Sequence, residues 1–192
     1  MPIDSPGLLA DPVSVARPKS ILAACGLILA LVLGTTAAPA RSSTLHESQL
    51  RSLNHQVALA INAFRLAHGL SVLHISPQLN AAARAHSDQM GADGYFDHPS
   101  ADGTPFWKRI EGYYPQGRYT SWEVGENLLY SSASISAAAA LKMWIASPEH
   151  LANLKNKDWR DLGVSAVRVP HAGGVYGGQT VTIITTDFGA RH

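Results

Sequence analysis

Apolar residues recur at helical spacing in four stretches of the chain and gather into three shorter runs between them. Over residues 48–68, Leu50, Leu53, Val57, Ile61 and Phe64 stand three or four apart and Gly69 follows. This predicts an amphipathic helix that ends at a glycine. Ser76-Pro77 then offers a cap and a proline in the first turn, and Leu79, Ala82, Ala83, His86 and Met90 line one face as far as Gly91, predicting a second helix. Thr104-Pro105 repeats that signal ahead of Phe106, Trp107 and Ile110, so a short third helix is expected to reach Gly112. Residues 134–146 are alanine-rich and carry Ile135, Leu141, Trp144 and Ile145, which favours a fourth helix by propensity and by spacing. Ser147-Pro148 opens one further helical turn, with Ser147 as its cap. Residues 124–130, 162–169 and 180–188 read as strands, the last two joined as a hairpin through the glycine-rich residues 171–178. This order predicts the mixed α/β class, an antiparallel sheet covered by helices.

The first forty residues have a different character. Arg17 and Lys19 precede an uncharged apolar run at residues 21–33, and small residues follow as far as Ala40. That is the layout of a secretory signal peptide, and Ala38-Pro39-Ala40 has the small-x-small form of a cleavage site. The apolar run is 13 residues long, whereas a membrane-spanning helix needs about 20. Cleavage after Ala40 is therefore expected, leaving residues 41–192 as a single exported domain, secreted or periplasmic. The alternative is an uncleaved anchor, since the small residues beyond Leu33 lengthen the span to about 18. Cys25 lies in a stretch resembling a lipoprotein box, but near the start of the apolar run, where a lipobox would end one. It is the one cysteine of the chain, which excludes an intramolecular disulfide and a cysteine-rich zinc module. The exported part would be held by its core alone.

Charge and motifs then narrow the chemistry. Fifteen basic residues nearly cancel 14 acidic ones among 192, for a formal charge of +1, which argues against a nucleic-acid partner. The length suits one domain with an ordinary core, and no internal repeat divides it. A phosphate-binding Gly-x-x-x-x-Gly-Lys loop, a Gly-x-Gly-x-x-Gly turn and a Gly-x-Ser-x-Gly elbow are all absent from the sequence. His46-Glu47 begins a His-Glu-x-x-His motif, but Leu50 stands where the second histidine must be. No organic cofactor is indicated. Nine histidines, with carboxylates on loops, remain as candidate chemistry.

Three clusters stand out, at residues 95–99, 124–128 and 144–153. Ile61-Asn62-Ala63-Phe64-Arg65, Leu73 and Leu79, residues 85–90, the Phe96–His98 element, Gly125-Glu126-Asn127, and Trp144 through Ser147-Pro148-Glu149-His150 to Asn153 follow one another, then Leu162-Gly163-Val164. In this order the chain resembles the CAP superfamily of cysteine-rich secretory, antigen 5 and pathogenesis-related 1 proteins, and within it the short, disulfide-free bacterial secreted branch. The resemblance covers about residues 57–188. It implies an α-β-α sandwich, with helices on both faces of a small antiparallel sheet, and a cleft where two histidines and acidic residues meet. Carried over, those positions are His98, Glu126 and His150, the expected ligands of a divalent cation, zinc or magnesium. The place of a second glutamate in many eukaryotic members falls on Ser147, a departure from the four-residue constellation, and Glu149 beside it is no assured replacement.

Physical reasoning supports parts of this set. Neutral imidazole is the commonest protein ligand for zinc, and two histidines with one carboxylate leave an open position for water or a ligand. Glu126 could equally act through water from behind the ligands. A helical turn starting at Pro148 disfavours a charged His150. Other residues of the clusters read as structural: Asn62, Arg65 and Asp88 as residues that orient helices, His86 as a hydrogen-bonded buried histidine, Asn127 and Asn153 as turn or cap residues. Trp107, Tyr113, Tyr114 and Trp122 pack in the core by default, or rim an apolar groove.

Three functions fit. The first is an exported protein that binds a lipid, a cell-envelope component or another protein at a metal-holding cleft. The second is a metal-assisted hydrolase of peptide or cell-wall substrates with Glu126 as base, or more weakly a Ser147–His150 variant. The third is a passive envelope domain that recognises a partner through its loops. A membrane association would arise only through an uncleaved N-terminal segment, and whether the protein is an enzyme stays open at this level.

Overall fold

The first helix, α1 (Ala40–Ala67), starts earlier than its apolar spacing indicates and buries Val57 and Ile61, with Leu50, Leu53 and Phe64 packed partly against the core. A computed structural model describes residues 40–132 and 134–192; the segment expected to be a signal peptide, as far as residue 39 and including Cys25, lies outside the described residues. Helix α2 (Pro77–Asp93) begins where Ser76 Oγ accepts the Leu79 N–H at 3.3 Å. It runs through Gly91 and ends at Gly94, whose φ of +70° suits glycine. Gly91, expected as a stop, is instead a contact point: a Cβ there would lie 2.5 Å from Val169 Cγ2.

Helix α3 (Phe106–Glu111) has Pro105, not Thr104, in its cap position. Helix α4 (Ala137–Ala146) starts after Ser136, whose Oγ accepts the Ala139 N–H at 3.2 Å, so the cap is two residues beyond the expected start. The turn expected after Ser147 is a full helix, α5 (Pro148–Lys155); Ser147 occupies its cap position without a side-chain cap bond.

Four strands form one sheet in the order β1-β3-β4-β2: β1 (His74–Ile75), β2 (Trp122–Ser131), β3 (Asp161–Val169) and β4 (Val181–Arg191). The three long strands pair antiparallel as expected, with β3 and β4 as the hairpin; a short 3-10 helix (Gly174–Tyr176) lies in their connection. The two-residue β1 pairs parallel with β3, too short a segment to leave a periodic signal. Strand β4 is buried at every position from Val181 to Ala190, as a central strand covered on both faces must be.

Alternation along these strands makes two cores. Leu162, Val164, Ala166, Ile184 and Phe188 pack with Val57, Ile61, Trp144 and Leu154 from α1, α4 and α5. On the other face Met90 of α2 packs with Leu128, Val167 and Ile183, while Leu79 and Ala82 of α2 pack with Ile110 of α3 and Tyr114, beside Trp122 and Val124. The result is the α-β-α sandwich. Gly163 sets how closely α2 approaches, since a Cβ there would lie 2.2 Å from the Leu79 carbonyl carbon. Burial of the larger side chains is worth about 1.5–3 kcal/mol each, so these two cores carry the fold.

Polar side chains tie the layers together. Asn62 both donates to the Leu73 carbonyl at 3.0 Å and accepts its N–H at 2.8 Å. Arg65, fully buried, donates to the carbonyls of Ser71, Leu154 and Asn156 at 2.9–3.0 Å, which fixes the end of α5 against α1. Asp88 pairs with Arg84 on the exposed side of α2. Tyr114 is fully buried with its hydroxyl donating to Asp161, and Trp122 donates to the Tyr114 carbonyl, whereas Trp107 and Tyr113 stand exposed.

Candidate functional site

Strand β2 carries Gly125-Glu126-Asn127 along one edge of the sheet, and successive residues point to opposite faces. Gly125 opposes Phe188 and has Trp159 and Asn153 against it, where a Cβ would lie 2.8 Å from the indole. That close approach seats α5. Asn153 donates to the Glu126 carbonyl at 3.1 Å and to Asn127 Oδ1 at 2.8 Å, and Asn127 donates to the His150 carbonyl at 3.1 Å. Trp144 donates to the Leu128 carbonyl at 3.1 Å. These bonds cover the open edge of β2 and hold the first turn of α5, with His150, beside it.

On the opposite face Glu126 is 3% exposed and fully engaged. Its Oε2 accepts from Arg109 Nη2 at 2.5 Å and its Oε1 bonds His98 Nδ1 at 2.9 Å. Arg109 also donates to the His98 carbonyl at 2.9 Å and to Ser100 Oγ at 3.2 Å, so one guanidinium ties α3, the loop after α2 and β2 together. The His98 ring is thereby oriented: Nδ1 faces the carboxylate, which turns Nε2 away from it on a side chain that is 43% exposed.

Two further acid–base groups lie behind. His86 is fully buried, with Nε2 donating to the Asp97 carbonyl at 3.0 Å and 3.9 Å from Glu126 Oε1. Burial lowers its pKa to about 4, outweighing the opposite pull of Glu126, so it is neutral. Asp187 stands directly across from Glu126 in the β2–β4 register and is fully buried. Burial, then the Glu126 charge, hold its carboxyl well above the ordinary carboxylate range, with Arg109 opposing. Its oxygens meet no donor among the described residues, and two carboxylates bond only when one holds a proton. Asp187 is therefore the carboxyl that keeps its proton.

His150 is half-buried, and its imidazole makes no hydrogen bond among the described residues. Burial lowers its pKa, the nearby His98 adds to that, and Glu149 opposes it. His98 and His150 thus lie close enough to interact electrostatically. Glu126, expected as a third ligand, lies behind His98 with both oxygens bonded. Among the described residues no three His, Cys, Asp or Glu side chains surround a common point. Ser147 is half-buried at the α4–α5 junction and Glu149 is exposed in the first turn of α5.

Sequence patterns passed over Arg109 and Asp187. Arg109 reads as an ordinary cation on a six-residue helix. Asp187 had a visible signal, an acid in the otherwise uncharged strand segment Ile183-Ile184-Thr185-Thr186 before Phe188.

Comparison with known proteins agrees with this architecture. A 30% identity over 135 residues, 69% of this chain and 49% of the relative, links it to the Bacillus subtilis (strain 168) protein YkwD. The membrane protein YlbC of the same organism is 30% identical over 113 residues, 59% of this chain and 31% of that protein. The chain thus spans about a third to a half of the length of these curated relatives. Among solved structures, an extracellular SCP-domain protein of Bacillus anthracis superposes with a TM-score of 0.58 at 24% identity, over 81% of this chain and 44% of its own. An outer surface protein of Borrelia burgdorferi gives a TM-score of 0.54 at 21% identity, over 71% of this chain and 90% of its own. The family model for the cysteine-rich secretory protein (CAP) family matches residues 59–184, two thirds of the chain, a span that includes His98, Glu126 and His150. The chain belongs to the CAP family.

Proposed function

We propose that this protein is an exported binding protein of the cell envelope, whose cleft takes a divalent cation through the imidazoles of His98 and His150 and uses it to hold a lipid or cell-envelope ligand. The observation that carries this reading is the buried Arg109–Glu126–His98 chain of hydrogen bonds. One carboxylate oxygen holds the His98 imidazole and the other holds the Arg109 guanidinium, which suits Glu126 to positioning rather than to the water-facing base that a hydrolase would need. Binding is favoured over catalysis for that reason.

Two nitrogen donors suit zinc better than magnesium, which prefers oxygen ligands in an octahedral set. Bound there, the cation supplies an electrophilic anchor with positions open to a ligand's oxygen atoms. Glu126 fixes the His98 ring, and Asn127 and Asn153 hold the turn that carries His150. Export is supported by the leader-like first forty residues and by the extracellular and outer-surface character of the two structural neighbours.

Calorimetric titration of the protein with zinc tests the reading, alongside a variant carrying His98→Ala and His150→Ala. One zinc per chain is expected for the natural protein and none for the variant. Equal binding by both, or no binding by either, would remove the metal from the proposal and return the cleft to direct ligand recognition.

A further inference from the structure

On the edge of the sheet opposite to β2, strand β3 continues past its short pairing with β1, and a cavity of about 400 Å³ lies there between α1 and α2. Its floor and sides are built rather than incidental. Asn54 on α1 accepts the Ala166 N–H at 2.6 Å, and Asn80 on α2 accepts the Val164 N–H at 2.8 Å. Because a backbone N–H must meet the amide oxygen, the orientation of both side chains is fixed, and each Nδ2 is left as a donor with no acceptor among the described residues. Ser165, 2% exposed, lines the same cavity, and its Oγ has no partner among the described residues. An unpartnered buried hydroxyl costs free energy unless something binds it.

The charge around the cavity points one way. Arg51 and Arg84 line it, and among the described residues no acidic side chain does. Their helical partners, Glu47 and Asp88, border the adjoining cavity instead. Such exposed pairs are weak, so both guanidinium groups remain free to turn to another anion. Ala58 and Val164 give an apolar wall. Addition of a peptide as a fifth strand is disfavoured, since the β3 N–H groups it would use are already taken by Asn54 and Asn80.

We infer that this cavity is a second binding site, for a small carboxylate with a short apolar body, its oxygens received by Ser165 and the two asparagine amides between Arg51 and Arg84. The inference is independent of the His98–His150 cleft and is tested without metal. The side-chain amide signals of Asn54 and Asn80 are followed by NMR while the protein is titrated with butyrate, N-acetylalanine, N-acetylalaninamide and inorganic phosphate. Saturable shifts of both amides with the acids, and none with the neutral amide, are expected. The tighter of the two acids distinguishes a simple carboxylic acid from a peptide terminus.

Replacing Arg51 and Arg84 together by Gln should weaken acid binding about tenfold, the scale of about 1.4 kcal/mol. Ser165→Ala should weaken it several-fold while leaving the unfolding midpoint unchanged or raised, because that hydroxyl has no partner to lose. Absence of saturable shifts, equal binding of the neutral amide, or phosphate binding as tightly as the acids would each overturn the inference. Destabilisation by Ser165→Ala with acid affinity unchanged would do the same, by making the serine structural.

Discussion

Among single residues, one arginine that holds a buried carboxylate governs the site. The side chains of Arg109 and Glu126 are 9% and 0% exposed, so removing the guanidinium leaves a buried carboxyl without its ion-pair partner in a dry environment. Arg109→Leu is expected to destabilise the protein by about 3–5 kcal/mol, measured by urea unfolding, because the lost partner cannot be replaced by water there. His86 adds a pH dependence. Its pKa falls from 6.5 in the unfolded chain to about 4 in the folded one, so the unfolded state binds the proton first and stability drops as pH falls from 6.5 toward 4. The full effect is about 3 kcal/mol. Asp187, with a raised pKa, works in the opposite direction, losing stability as pH rises. The difference between natural protein and His86→Gln, measured by unfolding at pH 7 and pH 5, isolates the histidine: the variant should lose less stability on acidification. His98, Glu126 and His150 could be picked out as candidates because each sits in a recognisable short motif. Arg109 and Asp187 were not, since their roles come from a partner 17 and 61 residues away in the chain, at Glu126.

Among the helices and strands, caps and glycines show where local signals hold and where packing overrides them. Ser76 and Ser136 cap α2 and α4 with real hydrogen bonds, while Ser147 takes a cap position without one. Ser136→Ala should therefore cost about 1 kcal/mol in thermal or urea unfolding. Ser147→Ala should stay within about 0.5 kcal/mol, although both serines look alike in sequence. A Ser147 effect as large as that of Ser136 would contradict the geometry. The periodicity located all the long helices and strands. It misplaced the end of α2 at Gly91, because a glycine required by the approach of Val169 carries the same letter as one that ends a helix. It also missed β1, whose two residues are held by the neighbouring strand rather than by any pattern of their own.

Taken as a whole molecule, a member of a family named for its cysteines is held without disulfides, by two cores on the faces of one sheet. Its melting temperature should be the same with and without a thiol reductant, by calorimetry or circular dichroism; a shift would reveal a covalent link the single Cys25 can make only between chains. The helices and long strands, the α/β class and the family could all be read along the chain, because apolar spacing, capping signals and short motifs are properties of neighbouring residues. What those residues do together came from the packing of remote segments. The strand register sets Asp187 against Glu126, α3 brings Arg109 to the same carboxylate, and the seating of α5 on Gly125 places His150 near His98. Burial and distance between remote positions fix protonation and bonding, and neither is written in the order of residues along the chain.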